Sequence, residues 1–291
     1  MTERGQMRWR RFSVVYGLLM CLTAPRRCWA EPRPEAVAGY ERYVAAVEGR
    51  LARQRALHGP AGSYLALEAA DLEAADLDAS NSERRLRRGD VVVERLTPQG
   101  GSGLPGALLH HWRATAFAAG ATAAGLEGVL RSFDLYPARF SPEVLGTKVL
   151  ADHGDRMQAW MRVRQKHVLT VVMDGTYDVE FGRLRNGGGY STSRSVRMHE
   201  VAGAGGAGER WLGAAEEHGF LWRLTTYWTY EERDGGLYLQ VESVSLSRSI
   251  PAGLGWAVRP FVESVPRESL EFTLRAACAA VSGTGRQGEG H

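Results

Sequence analysis

Residues 220–230 carry five aromatic rings in eleven positions: Phe220, Trp222, Tyr227, Trp228 and Tyr230. The two-residue period of a strand puts Phe220, Trp222, Leu224, Thr226, Trp228 and Tyr230 on one face. Such a face either fills a solid core or walls an apolar pocket, where indole N–H and phenol O–H groups orient a ligand. The pocket is the expectation taken here, with Met161, Val163 and Tyr177 as further lining. Charged residues within strands bear on the same question, because an inward charge must be paired. Arg162 and Arg164 alternate with Met161 and Val163, Glu242 follows Val241, and Arg248 closes its run. Glu242 and an arginine, both turned inward, would hold the polar end of a ligand; on a strand surface the same pair contributes little.

Other constellations lack the context that their chemistry requires. His110 and His111 are consecutive, so at most one faces inward along a strand. His199-Glu200 has no second histidine at zincin spacing, and no Cys/His pattern indicates a structural zinc. No Gly-x-Ser-x-Gly elbow supports a serine nucleophile. Gly203-Ala-Gly-Gly-Ala-Gly208 satisfies the dinucleotide fingerprint in letters only. That motif follows a buried parallel strand and opens a crossover helix, whereas residues 190–201 are polar and alternating. No cofactor and no metal are expected.

The chain begins with a leader-like segment. Arg8, Arg10 and Arg11 precede an apolar run at 12–24, and Cys28-Trp29-Ala30 resembles a cleavage site. The run is shorter than the roughly 20 apolar residues of a membrane span, so no stable span is expected after cleavage, and the protein is expected to be periplasmic or secreted. An uncleaved anchor is the alternative. Residues 1–30 hold six Arg and one Glu, which leaves 30 basic against 32 acidic residues and moves the formal net charge from +3 to −2. Nothing global then argues for nucleic acid. Cys21 and Cys28 leave with the leader, and Cys278 alone forms no internal disulfide.

The remaining pattern predicts α+β. A helix at 36–57 carries Val37, Tyr40, Val44, Val47 and Leu51 on one stripe. A tandem repeat, Glu68-Ala-Ala-Asp-Leu72 and Glu73-Ala-Ala-Asp-Leu77, precedes basic Arg84, Arg85, Arg87 and Arg88. Strands are expected at 90–96 and 108–117 and a helix at 122–136, followed by strands at 143–151, 157–166, 167–173, 177–184, 190–201, 220–230 and 237–246. Asp174-Gly175, Asn186-Gly and Asp234-Gly235 read as hairpin turns. A final helix at 258–281 stripes Leu270, Leu274, Ala277, Cys278 and Val281, with Phe261, Val262 and Val265 before a kink or restart at Pro266.

This order, with Leu109-His-His-Trp-Arg-Ala-Thr-Ala-Phe117, Ala119-Gly-Ala-Thr122 and the helix Leu126 to Phe133, resembles the START-like, or SRPBCC, superfamily and its helix-grip fold. Asp134-Leu-Tyr136, Tyr177-Asp-Val179, Phe220-Leu-Trp-Arg-Leu224, Ser245-Leu-Ser-Arg-Ser-Ile-Pro251 and the terminal helix continue the likeness over about residues 107–282. It implies a curved antiparallel sheet wrapped around the C-terminal helix, with 31–106 as an N-terminal helical arm and 283–291 as a disordered tail. The superfamily includes lipid carriers, quinone-binding chaperones, polyketide cyclases and hormone receptors, and fold alone does not choose among them. The expected function is to hold an apolar small molecule or lipid between Phe220, Trp222, Trp228 and Tyr230 on the sheet and Phe261, Val262, Val265 and Leu270 on the helix. Alternatives are a cyclase-like enzyme using Glu242, His110 or His111 and Tyr230, or an interaction protein with a filled core.

Overall fold

The computed structural model describes residues 31–57, 65, 79–96, 103–166, 170–249 and 255–285, without the side chains at 57, 79–81, 255–264 and 283–285. The expected leader, the repeat at 68–77 and the chain after 285 lie outside the described residues.

Helix α1 (Pro34–Leu57) is followed by α2 (Ala79–Arg87), β1 (Val92–Arg95), β2 (Ala107–Ala119) and α3 (Ala123–Arg131). A 3-10 turn (Phe133–Leu135) and α4 (Tyr136–Arg139) lead into β3 (Val144–Asp152), β4 (Arg156–Lys166), β5 (Thr170–Arg183) and β6 (Gly189–Ala202). The short β7 (Arg210–Trp211), β8 (Arg223–Arg233), β9 (Gly236–Arg248) and α5 (Gly255–Gly285) complete the order. The described strands form one curved antiparallel sheet in the order β1-β2-β9-β8-β6-β5-β4-β3, with β7 hung on β6. Edge strand β3 is irregular, its register shifting twice against β4. Helix α5 runs through Pro266 as one element.

Alternation along each strand sorts the side chains onto two faces. On the inner face, Leu270, Leu274, Ala277 and Val281 of α5 and Leu126, Val129 and Leu130 of α3 pack on Ala114, Ala116, Val241 and Leu239. Thr122 caps α3, its hydroxyl accepting from Gly125 N at 3.1 Å. The outer face is covered as well. Ala36, Tyr40, Val44, Val47 and Leu51 of α1 bury against Leu109, Trp222, Tyr227, Val244 and Leu246. Strand β9 is therefore buried on both sides along nearly its whole length.

Beneath α1 lies a charge cluster. Glu242 is 2% exposed and accepts from His111 Nε2 at 3.1 Å, Arg113 Nε at 3.2 Å and Arg50 Nη2 of α1. Burial alone would raise its pKa, but the His111 hydrogen bond and the Arg113 and Arg50 charges outweigh that and hold it below the usual carboxylate range. Burial also lowers the His111 pKa. A neutral ring donating through Nε2 to Glu242 leaves Nδ1 to accept from Tyr43 Oη at 2.8 Å.

The expected hairpin at Asp174-Gly175 is not a turn; both residues lie mid-strand in β5, opposite Arg162 and Met161. Asp174 is paired by the Arg162 fork at 2.7 and 2.8 Å, which removes its preference for a turn. Gly175 leaves the space that the Tyr177 ring occupies, since a Cβ there would sit 2.5 Å from that ring.

Glu242→Ala removes the carboxylate shared by His111, Arg113 and Arg50 and leaves buried Arg113 the more distant Glu94 at 3.8 Å, so it should cost about 3 kcal/mol, read as a lower urea midpoint at unchanged m. Because the folded pKa is depressed, the Glu242 contribution is present above the unfolded carboxylate pKa and is lost as pH falls through the folded value. The wild-type protein should accordingly lose more stability on acidification than the variant.

Candidate functional site

The inner face is built in rows that cross the sheet. Ala116, Leu239, Tyr230 and Gly189 form one row, and Ala114, Val241, Trp228, Ser191 and Phe181 the next. These are buried. One row further along stand Trp112, Ser243, Thr226, Ser193, Val179 and Met157. Beyond it come His110, Ser245 and Leu224, whose backbone N–H donates to Ser195 Oγ at 2.9 Å. The apolar half of the face thus gives way to a band of hydroxyls.

Burial changes along the same direction. Leu224, Thr226, Ser193, Ser195, Ser243, Met161, Val163 and Met198 are only half-buried. Thr226 is paired on both sides, to Ser193 of β6 and Ser243 of β9, so no edge exposes it, whereas the β6 pairing ends at Thr225 and Leu224 stands at the end of β8. The accessible surface of Thr226, Ser193 and Ser243 leaves an incompletely covered strip on the inner face among the described residues. Trp112, 8% exposed, borders this strip, and its indole N–H has no hydrogen-bond partner among the described residues.

The expected lining residues divide. Trp228, Tyr230, Tyr177 and Leu270 lie in the inner core, with Met161 packed against it. Val163 and Val265 are half-buried, and the side chains of Phe261 and Val262 lie outside the described residues. Four assignments are corrected. Trp222 packs under α1, and Phe220 is 43% exposed and stacked on His218. The cause is the bend at 219–222. Buried Glu200 accepts the backbone N–H groups of His218, Gly219 and Phe220, Gly219 has φ +77°, and the regular strand begins only at Arg223. Glu242 and Arg248 stand on the outer face: Glu242 lies in the cluster under α1, and Arg248 donates to the His218 carbonyl at 3.3 Å. His111 is outer too, which takes two of the proposed acid–base candidates away from the hollow. His110 remains inner, 3.2 Å from Ser247 Oγ, and Tyr230 has its phenol pushed up to about 12 by burial. The sequence reading missed Trp112 and the serines of β9. Their two-residue spacing at 243, 245 and 247 was the available signal.

Where α5 meets β3 and β4, Gln165 Nε2 lies 3.4 Å from Ser269 Oγ. Glu143, between them, has its carboxyl pushed up to about 7, chiefly by burial and further by Glu268, against hydrogen bonds from Gln165 and Ser269. Cys278 is partly buried and its thiol is raised to about 11 by burial, which makes it a packing residue. Among the described residues no His/Cys/Asp/Glu group could hold a metal, and no helix is long and apolar enough to cross a membrane.

A helix pair after the first long strand, an antiparallel sheet, and a long C-terminal helix laid on its inner face define the architecture. This is a helix-grip arrangement, a curved antiparallel sheet closed on its inner face by the terminal helix. Solved structures similar to it include a START superfamily protein from Mycobacterium smegmatis, with 14% identity, TM-score 0.42, and coverage of 60% of this chain and 98% of that one. A STAR-related lipid transfer protein from Xanthomonas axonopodis shows 18% identity, TM-score 0.41, and coverage of 64% and 93%. An aromatase/cyclase from Streptomyces sp. R1128 shows 13% identity, TM-score 0.44, and coverage of 63% and 99%. Neither a protein-family model nor a curated sequence matches the chain.

The raised Glu143 pKa sets a sign. Its contribution to stability is present below the unfolded value of 4.5 and is lost as pH rises through about 7. Melting temperature should therefore fall over that interval, and Glu143→Gln should flatten the slope. An unchanged slope would show that the α5 contact does not depend on that proton.

Proposed function

We propose that this chain is an exported binding protein that holds an apolar small molecule or lipid on the inner face of its sheet, beneath α5. One observation carries the reading: Thr226, paired on both sides within the sheet, and its row neighbours Ser193 and Ser243 stay half-buried on the inner face, where a filled core would cover them. Apolar surface is offered by the half-buried Met161, Val163, Met198 and Leu224, and burying it against a ligand contributes about 25 cal/mol per Å² before the costs of association. The hydroxyl band and the Trp112 N–H suit a ligand with at least one acceptor oxygen. A buried donor without a partner costs about 1–3 kcal/mol, which such an oxygen would recover.

Two dyes of one shape test this on the full chain: an alkyl naphthalene and its acyl counterpart, which carries a ketone. Both should bind the wild-type protein and be excluded from Leu224→Trp, whose indole fills the hollow. Trp112→Phe keeps the ring and removes the donor. It should weaken the ketone dye about tenfold and leave the hydrocarbon unchanged. Failure of both dyes to bind the wild-type protein, or equal binding to Leu224→Trp, would refute the reading.

A further inference from the structure

The outer face carries a concavity that no α1 residue lines. It has a volume of about 370 Å³ and is lined by Trp160, Arg162, Asp174, Val201, Glu209, Arg210 and Trp211. Small-ligand sites start at roughly 300 Å³. Three strands and the segment after β6 build it. Arg162 lies next to the inward Met161 and therefore faces out, directly opposite Asp174. The glycine-rich segment 203–208, which only imitates a nucleotide motif, is the turn that delivers the rest. Gly203 and Gly205 take φ values of +60° and +80°. Gly205 N donates to Glu209 Oε2 at 2.7 Å, and the chain returns so that Trp211 pairs with Val201.

The charged side chains of the concavity and the Trp211 N–H are each held by another group. Asp174 is 3% exposed and accepts from the Arg162 fork and from Trp211 Nε1 at 2.7 Å. Arg162 Nη1 donates to Glu209 at 2.6 Å, and Arg210 is paired twice with Glu216 at 2.7 Å. The Trp211 indole stacks on His199 at 4.6 Å and 13°. It is nonetheless 52% exposed. A tryptophan fixed both through its nitrogen and through one ring face, yet left open to solvent, is a pre-organised platform, since holding it in place costs nothing further on binding.

Charge narrows the ligand. Arg162 and Arg210 balance Asp174 and Glu209, so the lining is neutral overall, and its ion pairs are already satisfied. An anion or a cation would have to break a pair. A neutral ring with an apolar face and hydroxyls around its edge needs no such rupture, because a hydroxyl both donates and accepts, and carboxylate oxygens have lone pairs to spare. We propose that this concavity is a saccharide site, in which a neutral pyranoside lies against Trp211 and Trp160 with its hydroxyls on the Arg162–Asp174 fork and Glu209.

The test uses the full chain and follows the tryptophan indole N–H signals by NMR while maltotriose, N,N′-diacetylchitobiose, glucuronate or glucosamine is added. A neutral sugar should move the Trp211 and Trp160 signals saturably, and the two charged sugars should bind more weakly. Trp211→Ala leaves buried Asp174 on the Arg162 fork, so the protein should still fold with a melting temperature only slightly lowered, and the sugar should bind about tenfold or more weakly. Binding of the acyl naphthalene to the inner face should be unaffected by it. No saturable shift with either neutral sugar, or equal sugar binding by Trp211→Ala, would overturn the proposal. So would saturation of the same signals by p-nitrophenol but by no sugar, since the platform would then take planar aromatics.

Discussion

A carboxylate out of reach of water, Glu242, sets the terms for the outer half of this molecule. It stands in the middle of β9 on the face that a sheet of this kind commonly leaves to solvent. Burying such a charge is unfavourable unless donors surround it. Two come from β2, as His111 and Arg113, and the third from α1, as Arg50. The requirement links an element near the start of the chain to a strand near its end. Apolar anchors from Ala36 to Leu51 on the same helix supply the adhesion, and the ionic cluster fixes where along the sheet the helix must sit.

The consequence is a sheet clad on both sides at its centre and on one side elsewhere. Strands β2, β9 and β8 lie between α1 and the α3–α5 layer, which makes them the rigid part. Toward β4, β5 and β6 the inner covering thins and leaves Met161, Val163 and Met198 half-buried. The outer concavity lies in this less enclosed half, and the hollow runs from it to Thr226, Ser243 and Trp112 on the clad strands. A rigid wall beside a partly open one is a physically sensible way to admit a ligand without loosening the fold.

Element order was legible in the sequence because its signals are local. Period-two runs and the 3.6-residue stripe of Leu270, Leu274, Ala277 and Val281 read correctly. Orientation was less legible. Alternation divides 223–233 into two sets, but it names the inner set only if one set is polar, and here Tyr227 opposes α1 while Trp228 opposes α5. Trp222 was lost to a bend imposed by Glu200, a residue more than twenty positions away. Asp174-Gly175 carried a strong turn signal that a partner on the neighbouring strand overrode. In each case a long-range polar contact outweighed a short-range preference, and no window of the sequence contains both partners.

The irregular rim of β3 has a further consequence. Leu145, Val149 and Leu150 are 40–46% exposed on a strand with one free side, a combination that invites another chain to add itself by backbone pairing. Two register breaks and the exposed Lys148 between them interrupt that template. The protein thereby keeps an apolar border in water without offering the straight ladder that fibrous self-association would need.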